Sequence, residues 1–301
     1  MPLLMRIQMA IQFFIKQQKV NIEFIQFSGG ERHVQLSSQL LDTLGNTVRV
    51  RAELNSSDDI LDYLLLENVL IQHRKNIEVE IPYFPYARQD RVCATGQAFS
   101  LDVFCHLLNI NIEKHTSIRR RITLWDAHSN VIGQLLNGYS SHLDLYQVEP
   151  VEIIKTSPAL TELLQQQHTV LVCPDRGAKA RTAAIAQYFN PKRSQQIAII
   201  HCDKTREPTT GKITSSVVKT GSLAGKTAVI TDDICDGGAT FIGIAKELRK
   251  LQCEHIILYV THGIFSRGLD VFDGLIDQIF TSNSRPQQFH KNLNVIEFTA
   301  I

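Results

Sequence analysis

The sequence predicts an α/β protein of two tandem domains, each built on a mostly parallel sheet flanked by helices. Short runs of Val, Ile and Leu alternate with helix-patterned segments along almost the whole chain, which is the order that βαβ units produce. The runs are nearly all apolar, as strands buried on both faces are. Two stretches also echo each other: at 81–90 and again at 172–181 a strand-like run meets a proline and then a loop carrying Asp and Arg before a helical pattern. Such an echo marks a duplicated α/β unit, although two strand exits can also coincide by chance.

Taken in order, the N-terminal stretch reads as a hairpin, with strands at 11–15 and 20–27 around the polar turn Lys16-Gln17-Gln18-Lys19. Arg6, Lys16 and Lys19 interrupt its apolar residues and no small-residue cleavage site follows, so strands are expected there and not a signal peptide. Further strands are expected at 77–81, 122–125, 169–173, 197–202, 227–231 and 255–261. Between them the helical period places helices at 60–73, 99–108, 158–167, 178–189 and 238–251. A chain of 301 residues with 44% hydrophobic content can give each half its own core. The expected domains are 1–139 and 140–301, with the last residues packing back on the first domain.

With 31 Lys and Arg against 30 Asp and Glu the formal charge is +1, so no global field draws the protein to nucleic acid or a membrane surface. Any anion must be held by local geometry. The six cysteines are scattered and form no C-x-x-C pair, which argues against a zinc site or a disulfide framework and for a reducing cytoplasm.

The stretch richest in chemistry runs from Ala228 to Thr240: a buried strand ending in Asp232 and Asp233, then the loop Asp236-Gly237-Gly238-Ala239-Thr240, then a helix. Carboxylates at the carboxyl end of a parallel strand face the crevice where α/β proteins bind ligands. Small residues let the backbone approach a phosphate, and the amides of the following helix would face it. The acids would accept hydrogen bonds from the hydroxyls of an attached sugar. The plain alternative is a turn in which Asp233 caps a helix. The paired acids before the loop weigh against that alternative.

At these residues the chain resembles the phosphoribosyl-binding motif shared by type I phosphoribosyltransferases and ribose-phosphate diphosphokinases. Residues 81–91, Ile-Pro-Tyr-Phe-Pro-Tyr-Ala-Arg-Gln-Asp-Arg, resemble the diphosphokinases' ATP segment. Asp126-Ala127-His128, Pro174-Asp175 with Gly177 and Arg181, Asp203-Lys204-Thr205-Arg206 and the stretch 259–266 follow in the family's order. The resemblance therefore implies two tandem type I phosphoribosyltransferase-like domains. It also implies transfer of the β,γ-diphosphate of ATP to the 1-hydroxyl of ribose 5-phosphate, in a variant similar to diphosphokinases found beside nicotinamide-salvage enzymes.

Residue by residue, the resemblance implies that Arg88, Gln89, Asp90 and Arg91 bind ATP, while Phe27 and Glu31 reach the adenine held by a neighbouring subunit. His128 and Asp175 would contact Mg2+, and His128 would take part in catalysis with Lys204 and Arg206, which would lie on a mobile loop over the triphosphate. Asp232 and Asp233 would hold the ribose, Asp236, Gly237, Gly238, Ala239 and Thr240 its 5-phosphate, and Arg181 would be a further anion contact. The implied assembly is a dimer-based homo-oligomer, up to a hexamer. Singly, each residue has a plainer reading: a structural histidine for His128, solvated surface charges for Lys204 and Arg206. A phosphoribosyltransferase and a non-catalytic regulatory homologue are the alternatives.

Several positions depart from the family pattern. Gly29 stands where an acid near adenine is common, Gly237 replaces a frequent Thr and Ala239 a frequent Gly. Residues 92–97 carry no basic side chain where many members have several for an allosteric anion. The Walker-like 221–227 is one residue short between its glycines and precedes a strand, so a surface turn is expected.

Overall fold

The computed structural model describes residues 10–15, 18–113, 115, 117–139, 143–206, 213–218 and 220–300, with the side chains of 203–206 and 213–218 left aside. The chain divides into two compact units, one of residues 1–148 with 300–301 and one of residues 149–299. The first contains β1 (Ile11–Ile15), β2 (Gln18–Val20), β3 (Phe24–Gln26), β4 (Arg32–Val34), α1 (Ser38–Thr43), β5 (Thr47–Ala52), α2 (Ser57–Gln72) and β6 (Asn76–Ile81). It continues with α3 (Ser100–Asn109), β7 (Arg120–Trp125), α4 (Val131–Tyr139) and β8 (Leu143–Val148). Its main sheet has the order β2-β1-β5-β6-β7-β8. Strands β5 to β8 are parallel, and the β1–β2 hairpin joins antiparallel on the edge.

Helix α2 begins at Ser57, three residues before its expected start, behind the N-cap Ser56. The Ser56 hydroxyl accepts from the Asp59 amide at 3.2 Å and the Asp59 carboxylate accepts from the Ser56 amide at 2.8 Å, a reciprocal capping box. On one face of the sheet Val48, Val50, Val79, Ile122 and Leu124 share a core with Leu66, Leu70, Phe104 and Leu136 from α2, α3 and α4. The other face is polar. Arg49, Glu78, Arg121 and Asp144 are register neighbours across four strands, and Arg49–Glu78 and Arg121–Asp144 pair at 2.9 and 2.7 Å. Opposite charges facing each other across strands favour this register.

The second unit contains α5 (Pro150–Ile154), α6 (Pro158–Gln165), β9 (Thr169–Cys173), α7 (Lys179–Phe189), β10 (Ile199–Arg206), β11 (Ile213–Val218), β12 (Thr227–Cys235), α8 (Ala239–Lys250), β13 (His255–Gly263), β14 (Gln278–Ser282) and β15 (Leu293–Ile296). Its sheet runs β11-β10-β9-β12-β13-β14-β15, parallel except for β11. Val170, Ile230 and Leu258 pack with Phe241, Ile244 and Leu248 of α8. Their neighbours Leu171, Val229 and Ile257 point the other way and are buried too, which is why these strands read as unbroken apolar runs. Pro150 and Pro158 open α5 and α6 at positions where a missing amide costs nothing.

Four expectations need correction. The boundary lies after Val148, because β8 is hydrogen-bonded to β7 and completes the first sheet. The second strand of the N-terminal hairpin stops at Val20, and residues 24–26 pair instead with β4. Strand β12 continues through both acids to Cys235, because β13 offers pairing partners as far as Gly263. The expected mobile loop at 203–206 has strand backbone, with Lys204 opposite Ser216 and Arg206 opposite Ile213. Near the end of the chain, the Ala300 amide donates to Glu80 at 2.7 Å. Residues 221–226 form the surface turn before β12. No described helix is long and apolar enough to cross a membrane.

Candidate active site

In the second unit the site grows from the carboxyl ends of β9 and β12. The Thr182 hydroxyl on α7 lies 2.9 Å from that of Thr231 on β12, and this buried contact fixes the helix against the strand. The preceding residue, Arg181, thereby reaches both acids: its Nη1 lies 3.6 Å from Asp232 Oδ1 and 3.8 Å from Asp233 Oδ1. The Asp233 amide donates to Asp232 Oδ1 at 3.0 Å. The two acids thus share this guanidinium. Burial first, then the charge of Asp233, holds the Asp232 carboxyl well above the usual carboxylate range.

Asp175 follows β9 and Pro174, and its Oδ1 accepts from the amides of Gly177 and Ala178 at 2.9 and 3.2 Å. This turn directs the chain into α7. Its charge also acts on Asp232, so the two carboxylates share one field.

Beyond β12, Asp236 and Gly237 are half-buried, Ala239 is exposed and Thr240 is half-buried on the first turn of α8. Gly238 is the N-cap at φ 75°, and no side chain caps the helix. Two independent facts require glycine there. The left-handed backbone disfavours a side chain, and a β-carbon would stand 2.5 Å from Phe272 Cζ. The first-turn amides therefore face outward beneath a bare backbone, an arrangement suited to an anion. Arg267, whose side chain lies against Gly237, was not among the expected site residues. A basic residue directly after the matched stretch 259–266 was the only sequence signal for it.

In the first unit, the segment after β6 is pinned by burying Phe84 and Ala87. Phe84 meets Phe104 edge-on at 5.1 Å, and Tyr86 takes a left-handed φ of 60°. The Gln89 amide closes the turn on the Tyr86 carbonyl at 2.8 Å. Arg88, Gln89 and Arg91 are left exposed and Asp90 half-buried, with Arg91 Nε 3.7 Å from Asp90 Oδ1. His128 is exposed just beyond β7, after buried Asp126 at φ 39°. Beside it, Ser129 buries its hydroxyl oxygen without a hydrogen-bond partner among the described residues.

Phe27 and Glu31 bracket the tip of the β3–β4 hairpin, and the Phe27 amide donates to the Glu31 carbonyl at 2.9 Å. Both side chains are exposed. The Glu31 carboxylate folds into the space a side chain at Gly29 would need, so an acid stands beside position 29 although the residue itself has none. Lys204 and Arg206 sit on the β10–β11 hairpin, their side chains outside the described set.

Asp175, Asp232 and Asp233 offer hard oxygen donors, the type Mg2+ prefers, and Mg2+ is held by one or two carboxylates plus substrate phosphates rather than a full protein cage. The donor set fits. The only three-residue grouping with metal-ligand spacing among the described residues is Asp270, Asp273 and His290, elsewhere in the second unit.

The phosphoribosyl transferase domain family matches residues 152–282. A ribose-phosphate pyrophosphokinase of Mycoplasmopsis pulmonis is 30% identical over 234 residues, 76% of this chain and 66% of that protein. One of Pyrococcus furiosus is 26% identical over 277 residues, 90% of this chain and 88% of that protein. The phosphoribosylpyrophosphate synthetase structure from Mycobacterium smegmatis has the same fold, with a TM-score of 0.70 at 21% identity over 92% of this chain and 86% of that one. With matched relatives extending over both units and the acid-and-glycine loop in place, the chain belongs to the ribose-phosphate pyrophosphokinase family.

Proposed function

We infer that the protein transfers the β,γ-diphosphate of ATP to the 1-hydroxyl of ribose 5-phosphate, giving phosphoribosyl pyrophosphate and AMP. The observation that carries this reading is the adjacent acid pair Asp232 and Asp233, with the Asp232 carboxyl held above its usual range, close before an uncapped helix start with a bare glycine backbone. Such a site takes a polyol through its carboxylates and a phosphate through its amides. In this reading the 5-phosphate lies on Asp236 to Thr240, and Asp232 and Asp233 accept from the ribose hydroxyls.

The ribose 1-hydroxyl then attacks the β-phosphorus in line. The new O1–Pβ bond forms as the bond from Pβ to the α–β bridging oxygen breaks, AMP leaves, and the hydroxyl proton passes to solvent. No covalent enzyme intermediate is needed, so the protein's task is positioning and charge stabilisation. Arg88, Gln89, Asp90 and Arg91 bind ATP, and Lys204 and Arg206 stabilise charge developing on the diphosphate. Asp175 and His128 would each contact Mg2+ carried on the substrates, and the metal would neutralise triphosphate charge. Arg181 orients the acid pair through its contacts at 3.6 and 3.8 Å and is a positioning residue.

The exposed hairpin tip with Phe27 and Glu31 supports a homo-oligomer in which the tip reaches a neighbour's adenine. An exposed apolar band of Leu61, Val103, Leu107 and Ile110 on and beside α2 and α3 supports the same conclusion. Six free thiols, five of them buried, suit a reducing compartment. Purified protein given ATP, Mg2+ and ribose 5-phosphate should release AMP only when the sugar is present. Sugar-independent release, or none from folded protein, would reject the reading.

A further inference from the structure

The proposed sugar-phosphate site has an electrostatic gap. A phosphate dianion must settle close to three acids, Asp232, Asp233 and Asp236, in a loop whose residues 236–240 include no basic side chain. Arg181 is already engaged with the acid pair. Amides and the Thr240 hydroxyl alone would have to hold the anion.

A second segment supplies the missing charge. The amides of Ile264 and Phe265 donate to the Cys235 carbonyl at 2.8 and 3.1 Å, and the Ser266 amide donates to the Asp236 carbonyl at 3.2 Å. Residues 264–266 are thereby fastened to the backbone of the phosphate loop. The chain then turns, with the Gly268 amide closing on the Phe265 carbonyl at 2.8 Å and positive φ at Phe265 (46°) and Gly268 (74°). This turn lays Arg267 along Gly237. A β-carbon at 237 would stand 3.5 Å from both Arg267 Cδ and Nε, and 3.7 Å from Cγ. The stem of Arg267 thus occupies the space that a branched side chain at 237 would fill.

Arg267 is exposed and makes no hydrogen bond or ion pair among the described residues. An exposed arginine is ordinarily a solvated surface charge. Here, however, its stem rests on the loop, its turn is hydrogen-bonded to the loop's carbonyls, and its fork of donors is uncommitted. A guanidinium presents that fork in the geometry that phosphate oxygens accept.

We propose that Arg267 is a phosphate-binding residue of this site, supplying from the β13–β14 connection the cation that the loop lacks. Gly237 is the complementary feature, because its missing side chain makes room for the arginine stem. The proposal rests on reading residues 236–240 as the seat of the ribose 5-phosphate phosphate. Because the same contact exists before and during reaction, it acts as uniform binding and changes KM more than kcat.

Calorimetry with ribose 5-phosphate, ribose and ATP on wild type, Arg267→Ala and Arg267→Gln tests it. Both variants should bind ribose 5-phosphate roughly ten- to a hundredfold more weakly, the usual worth of a charge-assisted phosphate contact. Their ATP affinity and thermal midpoint should match wild type, and the KM for the sugar should rise with kcat within about threefold. Arg267→Gln keeps most of the stem without the charge, so full affinity in that variant would overturn the proposal. Gly237→Thr introduced into Arg267→Ala should recover part of the loss, since a hydroxyl can then take the vacated space. Wild-type affinity in both arginine variants would leave the site reading standing and reject Arg267. Failure of wild type itself to bind ribose 5-phosphate would reject the site reading and the proposal together.

Discussion

The two units bury charge in opposite ways. In the first, the fully buried Glu67 accepts from Arg120 Nη1 at 3.1 Å and from the Tyr63 hydroxyl at 2.8 Å, and Arg120 donates further to Leu108 and Asn109. Glu80 likewise accepts from Trp125 at 2.9 Å and from Arg51 at 3.4 Å. Each carboxylate meets donors of opposite or neutral character. In the second unit Asp232 and Asp233 repel each other, and their shared arginine stands off at 3.6 and 3.8 Å. Buried opposite charges in close contact hold a fold together, whereas like charges set side by side mark a place suited to a ligand.

The largest effect should come from breaking the paired network of the first unit. Arg120→Met leaves Glu67 buried and uncompensated, which should cost about 3–5 kcal/mol of stability in urea denaturation. Adding Glu67→Leu should recover much of it. If the single variant lost under about 1 kcal/mol, the first unit's charges would not be structural in the sense argued here.

The opposite is expected of the acid pair. Asp233→Asn should weaken ribose 5-phosphate binding by roughly ten- to a hundredfold while leaving stability unchanged or higher, because it relieves repulsion. Equal loss of ATP and sugar binding would indicate a folding defect instead.

Asp232 gives a pH test with a definite sign. Its folded pKa is raised, mainly by burial, so between the unfolded value of about 3.9 and the folded one the native state holds more protons than the unfolded chain. Stability contributed by this group therefore falls as pH rises through that window and levels off above it. Asp232→Asn should remove that fall, and urea midpoints that run parallel for both proteins across pH would contradict the assignment.

The smallest effect concerns the thiols. Cys93 is exposed and the other five cysteines are buried, with burial pushing Cys105 up to about 12. One thiol should react quickly with a disulfide reagent in the native protein and six after denaturation. Because Cys93 follows Arg91 closely in sequence, saturating ATP with Mg2+ should slow that reaction. An unchanged rate would weaken the assignment of residues 88–91 to ATP.

How much of this was legible depended on whether a contact was local. Strand β9 matches its expected residues 169–173 from end to end, because burial on both faces leaves an unbroken apolar run. Strand β5, Thr-Val-Arg-Val-Arg-Ala, escaped notice because its arginines are stabilised by Glu78 and Glu80, 29 residues away. The last residues of β12 were misread for a similar reason. Aspartates are poor strand formers, and what keeps Asp232 and Asp233 extended is pairing with β13. At the site, the acids and glycines were visible as a motif. Arg267 was not, since its contact with Gly237 arises only when the turn after β13 folds back.

The most direct test of the whole account is phosphorus NMR of the protein turning over ATP, Mg2+ and ribose 5-phosphate. The account predicts that the β- and γ-phosphorus signals of ATP disappear together, replaced by a diphosphate on the sugar, with AMP as the only nucleotide product. ADP with inorganic phosphate, or ADP with a sugar 1,5-bisphosphate, would place the attack at the γ-phosphorus and contradict it.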